Sequence, residues 1–429
     1  MLVYSIFKHP VRWAFPFFYK RMYIVGMENI LLDQPTIIAP NHANTLIDPI
    51  AIACYQPMDM YFWARADVFK HPVSRWICTN VHMLPIFRPR DGKENMHKND
   101  DTFKASSQVL AANNMLFISP EGNSKMEKRL RPMKLGPARL LFDCLEAYPD
   151  KEFYIQPMGL NYTELRQGWG DFMMVYGKPI AASDYLEMYK ENPDQAKEIL
   201  MADVRKGLLD VMLHIDTEEN EPYVEGLWEL YRNDYVLDMF PKFSYDGERF
   251  KQEQAIARQS QIDPYEDQWE SIKQYFETLK ANNLNDFAIA NFPRNNFSRY
   301  LFVLCFLPIK ILSLFLTLPI LKFIQNIANT KVADKDFAPS VVMVGGMVFF
   351  SAWGLFLALI AGVVYSWWLA LLMPILVLFT QYMSQYWNEE WQKIKYLMAW
   401  SSFRKNKPND AEKLEAQRAD LRRYYEQWI

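Results

Sequence analysis

Residues 36–55 read TIIAPNHANTLIDPIAIACY, and this stretch decides the fold. Its first part, residues 36–39, is a short apolar run with the composition of a buried strand, and its last part, IAIACY, predicts an apolar helix. Between them, Asp48 followed by Pro49 predicts a helix N-cap with proline at the first helical position. A strand, a polar loop and a helix in this order are typical of an α/β domain.

The same alternation continues along the chain to about residue 180. Further strands are predicted at residues 60–64, 115–119, 153–160 and 172–176, and helices at residues 101–112 and 133–147. Pro157 within one of these strands predicts a sheet edge, because proline has no N–H to donate to a neighbour. The fold class is therefore α/β, with a sheet flanked by helices in residues 31–182 and a polar helical accessory region in residues 183–298.

Composition excludes several classes of protein. Aromatic residues make up 15% of the 429 residues, yet the mean hydropathy is slightly negative, so the apolar residues are concentrated, mostly after residue 299. A net charge of -3 without a basic stripe argues against a nucleic-acid partner. The four cysteines are far apart and form no C-x-x-C pair, so neither a disulfide framework nor a metal site is expected.

The N-terminal residues 1–30 are apolar and aromatic, but Lys, Arg and Pro interrupt them. Such a segment is too broken to cross a membrane, and its rings and cations suit the headgroup boundary. An amphipathic helix packed on the following domain is an equal alternative. The segment is predicted to be interfacial and membrane-associated.

The C-terminal third predicts membrane insertion. Residues 339–384 contain two nearly uncharged runs, each long enough to cross a hydrocarbon core of roughly 30 Å, and they predict a transmembrane hairpin. Cations flank the hairpin on both sides while its short linker has none, so both ends should face the cytoplasm. Residues 299–325 contain two prolines and Lys310 and predict a re-entrant or interfacial segment. Residues 385–429 predict a cytoplasmic amphipathic helical tail.

Chemistry is expected first in the loop that follows residues 36–39. A carboxylate such as Asp48 can accept the N–H of an imidazole such as His42, which fixes the tautomer and leaves the other ring nitrogen free to take a proton. A histidine and an aspartate at this spacing are also common in solvated loops. The pair alone is therefore a weak indication of a general base.

Two further loops carry groups suited to an anion. Arg88 and Arg90 lie in a proline-stiffened loop, and a guanidinium offers paired donors to phosphate. Ser119-Pro120-Glu121-Gly122 ends another strand in a turn whose backbone N–H groups could face an anion.

Together with the strand that contains Pro157, these segments resemble the glycerophospholipid acyltransferase family. That family has the ordered pattern Asn-His-x4-Asp, Phe-x-x-Arg, Phe-Pro-Glu-Gly and an apolar strand with proline, and the resemblance covers about residues 20–180. It implies an acyltransferase-type mixed sheet, His42 as general base and Asp48 as its orienting group. It also implies that Arg90, with Glu121 and Gly122, binds a glycerol-phosphate acceptor.

The sequence departs from the family pattern at three places. Five residues rather than four separate His42 from Asp48, Ser119 replaces the phenylalanine, and Lys125 replaces the arginine that usually follows Glu-Gly. The expected substrate-binding set is Arg88, Arg90, Glu121, Gly122, Asn123, Ser124 and Lys125.

The resemblance implies an enzyme that acylates a glycerolipid precursor without a cofactor. The motif form His-Ala-Asn-x-x-x-Asp-Pro is most similar to the yeast-type glycerol-3-phosphate and dihydroxyacetone-phosphate acyltransferases, which favours glycerol 3-phosphate as acceptor. Lysophosphatidate (1-acylglycerol 3-phosphate) is the alternative acceptor, and acyl-CoA and acyl carrier protein remain alternative donors. An inactive membrane-anchored lipid-binding scaffold is the alternative of another class. The expected partners are membrane lipids, the donor and the acceptor, with the active site on the cytoplasmic face and the oligomeric state open.

Overall fold

The computed structural model describes residues 2–88, 92–166, 168–238, 240–262, 266–293, 296–332 and 337–429. The chain divides into two compact units. The first contains residues 1–213 and 242–247, and the second contains residues 214–241 and 248–429.

The first unit is built on one mixed sheet. Its strands in the described chain are β1 (Arg21–Val25), β2 (Thr36–Pro40), β3 (Met60–Arg65), β4 (Met83–Ile86), β5 (Met115–Phe117), β6 (Tyr154–Tyr162), β7 (Asp171–Tyr176), β8 (Ile180–Ala181) and β9 (Phe243–Ser244). They lie in the order β4-β3-β5-β2-β6-β7-β1-β9, and β8 pairs with β6. Neighbouring strands are parallel except that β6 runs antiparallel to β7 and β8.

Helices flank this sheet. They are α1 (Leu2–Phe18), α2 (Ile47–Tyr55), α3 (Pro72–Asn80), α4 (Asn99–Ala111), α5 (Gly136–Ala147), α6 (Leu186–Glu191) and α7 (Pro193–Val211). The buried faces of α5 and α7 pack with β2 and β6 into one apolar core that includes Ile37, Leu141, Ile155 and Leu208. The predicted α/β fold class, a mixed sheet flanked by helices, is confirmed.

Every predicted strand and helix of residues 34–180 is present, with ends shifted by a few residues. The strands β1, β4 and β8 are additional, and so is β9, which lies within the polar accessory region and pairs with β1. The sequence alone indicates only a stiff loop where β4 begins at Met83. A two-residue strand such as β9 has no periodicity of its own, so only its partner reveals it.

The edge position predicted from Pro157 is wrong. β6 is an interior strand, with β2 on one side and β7 and β8 on the other. Pro157 is tolerated because β8 pairs with residues 154–155 and β7 pairs with residues 158–162. The position without an N–H therefore lies between the segments that pair with these two strands. The Pro157 carbonyl still accepts the N–H of Gly177 at 2.9 Å.

The second unit is helical apart from its connections. Its helices are α8 (Glu221–Asp234), α9 (Glu248–Ile262), α10 (Glu266–Ala281), α11 (Asp286–Asn291), α12 (Phe297–Lys331), α13 (Ala338–Val364), α14 (Trp367–Asn406) and α15 (Pro408–Glu426). Of these, α12, α13 and α14 are long and apolar enough to cross a membrane, which identifies the chain as membrane-associated.

The segment expected to be re-entrant, residues 299–325, is part of the continuous 35-residue helix α12. The helix passes through Pro308 and Pro319. An apolar helix tolerates proline where neighbouring helices and side chains satisfy the freed carbonyls. The re-entrant or interfacial placement of this segment stays a prediction.

Candidate active site

The predicted site residues follow strands that are parallel to one another. β2, β5, β3 and β4 are consecutive in the sheet, so their carboxyl ends share one edge. His42 follows β2, Glu121 follows β5 and Arg88 follows β4. The sheet topology therefore carries three separate sequence motifs to one edge.

His42 and Asp48 are directly paired. Nδ1 of His42 lies 2.8 Å from Oδ2 of Asp48, whose side chain is completely buried. Asp48 is not the helix N-cap that the sequence predicted, since it lies within the first turn of α2 after the N-cap residue Leu46. Its carboxylate turns back instead and accepts the Asn44 N–H at 2.8 Å. This turn accommodates the extra residue of the loop, so His42 and Asp48 still form a pair.

The free nitrogen of His42 faces outward. The His42 side chain is 13% exposed, and Nε2 has no hydrogen-bond partner among the residues that the structure describes. An imidazole whose Nδ1–H is held by a buried carboxylate presents Nε2 as a proton acceptor. The ring of Phe117 lies edge-on to it, with centroids 5.9 Å apart.

Tyr162, at the end of β6, completes the environment of Asp48. Its hydroxyl donates to Oδ1 of Asp48, so both carboxylate oxygens are held. Burial, and then the charge of Asp48, raises the pKa of Tyr162 well above its usual range. Burial and the same charge also raise the pKa of the neighbouring Tyr19. Tyr162 therefore stays a protonated donor.

Glu121 is held by Arg131, which follows it in the same loop. Oε2 of Glu121 accepts the His42 N–H at 2.7 Å and an Arg131 Nη2–H at 2.9 Å. Oε1 accepts the Arg131 N–H at 3.0 Å and its Nε–H at 3.2 Å. Both oxygens are thus occupied by groups of the chain. In this arrangement, Glu121 fixes the His42 backbone rather than facing an anion.

The same guanidinium extends across the Glu-Gly turn. Arg131 donates from Nη1 to the Asn123 side chain at 2.9 Å and from Nη2 to the Asn123 carbonyl at 2.7 Å and the His42 carbonyl at 3.1 Å. Gly122 has a positive φ of 75°, a backbone conformation that glycine adopts at no steric cost. Arg131 therefore joins the His42 loop to the turn.

Ser124 and Lys125 lie beside the His42 loop. The Ser124 hydroxyl hydrogen-bonds the Thr45 hydroxyl, and the Lys125 N–H donates to the His42 carbonyl at 3.1 Å. The Lys125 side chain is 59% exposed and pairs with Glu127 at 2.7 Å. Its ammonium is therefore accessible from this edge of the sheet.

The arginine loop is described only in part. Arg88 is half-buried and lies three strand positions from β2, on the order of 14 Å at the usual strand spacing. Both backbone groups of Phe87 bond the Asn99 side chain, at 2.8 and 2.9 Å, which anchors the start of the loop. Arg90, the predicted acceptor ligand, lies outside the described residues.

The family model described as Acyltransferase matches residues 21–161. Residues 21–161 are thus similar to this acyltransferase family. The match begins at the first residue of β1 and ends one residue before Tyr162.

The chain also aligns with curated proteins. The chain is 27% identical over 202 residues to Glycerol-3-phosphate O-acyltransferase 1 of Saccharomyces cerevisiae, covering 43% of this chain and 25% of that protein. It is 26% identical over 135 residues to Glycerol-3-phosphate O-acyltransferase 2 of the same yeast, covering 31% of this chain and 18% of that protein. The alignments thus span a quarter or less of the length of these relatives.

The chain is also similar to a solved structure, with a lower sequence identity. The 1-acyl-sn-glycerophosphate acyltransferase of Thermotoga maritima is 15% identical, with a TM-score of 0.34 and coverage of 47% of this chain and 78% of that chain. This likeness is too weak to carry an argument about fold or function.

Sequence reasoning missed two residues that hold the site together, Arg131 and Tyr162. Arg131 lies six residues beyond Lys125, the cation that the motif spacing indicated. The sequence signal that could have found it is an arginine without an assigned role, shortly after the end of a buried strand. Tyr162 offered no such signal, because a tyrosine at the end of an apolar strand is an ordinary strand residue.

Proposed function

We propose that this chain transfers a fatty acyl group from a thioester donor to a hydroxyl of glycerol 3-phosphate, in phospholipid biosynthesis. The observation that carries the proposal is the state of His42, whose Nδ1 is held by a buried carboxylate while Nε2 faces outward without a partner in the described chain. The match of residues 21–161 to the Acyltransferase family model supports the same reaction. The two yeast relatives are named for glycerol 3-phosphate, which favours this acceptor.

In the proposed mechanism, Nε2 of His42 takes the proton of the acceptor hydroxyl as its oxygen attacks the thioester carbonyl carbon. The imidazolium that forms is stabilised by Asp48. When the tetrahedral intermediate collapses, the C–S bond breaks and His42 gives its proton to the departing thiolate. One C–O bond has replaced one C–S bond, and no cofactor takes part beyond the donor.

The acceptor phosphate is assigned to the cations at the same edge of the sheet. Lys125 is an exposed cation beside the His42 loop, and Arg88 follows β4. Arg90, two residues further along the sequence, stays in the proposed set. Guanidinium and ammonium groups favour phosphate by charge-assisted hydrogen bonds. We expect the site to face the cytoplasm, where thioester donors and a water-soluble acceptor are available.

The test is an assay of the purified full chain in lipid nanodiscs, with two acceptors, glycerol 3-phosphate and lysophosphatidate, and two donors, acyl-CoA and acyl carrier protein. Release of free thiol that depends on glycerol 3-phosphate is the expected result. Turnover with lysophosphatidate alone would reassign the acceptor. Absence of turnover with all four combinations would favour the inactive scaffold.

His42→Ala in the same assay should lower kcat by about 10²–10⁴-fold, the usual contribution of a general base. The matched control is His9→Ala, since His9 is exposed on α1. The two variants should have the same thermal unfolding midpoint. Near-normal turnover of His42→Ala would overturn the mechanism.

A further inference from the structure

Lys310 is a cation within the strongly apolar helix α12. Its side chain is half-buried and turns toward α14, where Nζ donates a hydrogen bond to Ser384 Oγ at 2.9 Å. The same Nζ lies 5.7 Å from the centroid of the Trp387 ring. An ammonium has three N–H donors and no acceptor. Two donors of Lys310 therefore have no hydrogen-bond acceptor in the described chain.

The carboxylates of the three apolar helices are engaged elsewhere. α12 and α13 contain no Asp or Glu, and α14 contains only Glu389 and Glu390. Lys393 binds these two at 2.6 and 2.7 Å, and Glu390 also binds Arg299. Among the residues that the structure describes, the Lys310 ammonium thus has no ion pair. A charge held away from water is costly unless it is paired, which indicates a ligand that supplies the anion.

Polar side chains continue this site along the two facing helices. Ser313 and Thr317 follow Lys310 on the same face of α12, at i+3 and i+7, and are almost completely buried. Gln381 lies one turn before Ser384 on α14, and its side chain hydrogen-bonds the Thr317 hydroxyl at 2.9 Å. An amide has two N–H donors, so at least one donor of Gln381 has no partner in the described chain. These unused N–H groups, together with the positive charge, suit an anionic oxygen.

The position of Ser384 in the sequence indicates where that oxygen comes from. Residues 339–384 are predicted to form the transmembrane hairpin, and Ser384 is its last residue. Charged residues follow, beginning with Glu389. The phosphates of a bilayer lie at this boundary, just outside the hydrocarbon core of roughly 30 Å. A lipid headgroup is therefore the source of an anion at this depth.

The surface beside Lys310 suits the acyl chains of such a lipid. Leu307, Ile311 and Leu314 are exposed, and their spacing puts them on one face of α12. Leu307 and Leu314 lie one turn before and one turn after Lys310, so this apolar surface adjoins the ammonium. A phospholipid combines both complementary features, an anionic phosphate and apolar chains, in one molecule.

We propose that Lys310, Gln381 and Ser384 bind the phosphate of an anionic phospholipid between α12 and α14. This binding site is separate from the acyl-transfer site proposed above and does not depend on its activity. The bound phosphate supplies the anion that Lys310 lacks within the described chain.

The experiment is native mass spectrometry of the full chain in detergent, titrated with phosphatidylglycerol or with phosphatidylcholine, which has no net charge. One phosphatidylglycerol should bind more tightly than any phosphatidylcholine. Lys310→Met should weaken phosphatidylglycerol binding about tenfold, because it removes a charge-assisted hydrogen bond, and should leave phosphatidylcholine binding unchanged. The matched control is Lys322→Met, since Lys322 is an exposed lysine of the same helix.

Equal affinity of the native chain for the two lipids would overturn the proposal, and this comparison needs no variant. An unchanged affinity of Lys310→Met for phosphatidylglycerol, with the thermal unfolding midpoint of the native chain, would also overturn it. Displacement of phosphatidylglycerol by inorganic phosphate at equal concentration would contradict the lipid assignment in favour of a free anion. A dimer of the native chain that Lys310→Met dissociates would contradict it as well, because a second copy would then supply the anion.

Discussion

Asp48 is buried without a lysine or arginine among its hydrogen-bond partners in the described chain, and its charge is held by three donors. They are the His42 ring, the Asn44 N–H and the Tyr162 hydroxyl. A buried carboxylate needs such donors because an unsatisfied charge is expensive in a protein interior. Each donor also restricts where the carboxylate can point, and through it where the His42 ring can lie.

We therefore expect Tyr162→Phe to lower kcat by about tenfold, since a hydrogen bond to a charged group contributes about 1.5–3 kcal/mol, while the acceptor KM changes little. Initial rates at varied glycerol 3-phosphate would measure both constants. The matched control is Tyr176→Phe, because the buried Tyr176 hydroxyl has no partner in the described chain. Equal effects of the two substitutions would remove the orienting role from Tyr162.

Arg131 joins Glu121, Asn123 and the His42 carbonyl, a set that the planar fork of a guanidinium can span and an ammonium cannot. Arg131→Lys should lower kcat on the order of tenfold with a small change in the acceptor KM. Arg139→Lys is the control, since Arg139 lies on α5 and its guanidinium contacts Asp100 at 3.3 Å. A change confined to the acceptor KM would instead assign Arg131 to phosphate binding.

At the scale of elements, α8 and α9 are joined by a buried ion pair. Glu253 is completely buried and accepts from Arg232 Nη2 at 2.7 Å and from Arg249 Nε at 3.0 Å. Burial alone would raise its pKa, but the two guanidinium groups outweigh burial and lower the pKa from 4.5 to about 2. The folded chain thus binds this proton less tightly than the unfolded chain.

The stabilisation from this shift is present above pH 4.5 and is lost as the pH falls toward 2, with a size of about 3 kcal/mol. We expect the thermal unfolding midpoint of the chain in detergent to fall over this range. Glu253→Gln should be less stable than the native chain at pH 7, and the difference should shrink as the pH falls. Parallel curves for the two proteins would contradict the lowered pKa.

At the scale of the molecule, helix packing restricts the membrane topology. α15 follows the three apolar helices, yet Arg418 of α15 binds Asp286 at 2.7 Å and Asp234 at 2.9 Å. Both aspartates precede the apolar helices in the chain. We therefore predict that the segments before and after α12 to α14 lie on one side of the membrane and that the number of crossings between them is even.

We predict that α13 and α14 cross the membrane and that α12 lies on the cytoplasmic leaflet. If α12 crossed, Lys310 would lie near the membrane centre, which costs about 2.5–3.5 kcal/mol on insertion scales. The test is thiol labelling of sealed vesicles carrying the Cys305→Ser chain with one new cysteine at Glu218, Thr330, Tyr365 or Lys405. Residues 218, 330 and 405 should react from one side and residue 365 from the other. Reaction of residues 218 and 405 from opposite sides would contradict the packing. Reaction of residue 330 from the same side as residue 365 would show that α12 crosses.

Much of the fold could be predicted from the sequence, because strands, helices and membrane segments leave local periodic patterns. Residues 36–55 alone indicated a strand, a loop with His42 and a helix. The same local patterns failed at Pro157. The cost of a proline in a sheet depends on which strand lies beside it, and a local pattern contains no information about neighbouring strands.

The sequence by itself determined which reactive groups are present, namely a histidine and a carboxylate after one strand and a Glu-Gly turn after another. It also determined the apolar helices that are long enough to cross a membrane. Only the tertiary structure decided which groups hold that chemistry in place. Tyr162 lies 114 residues from Asp48 and reaches it because β2 and β6 are adjacent. Arg418 lies 132 residues from Asp286 and binds it. The physical reason is that hydrogen bonds and burial act between neighbours in space, whereas sequence patterns record neighbours along the chain.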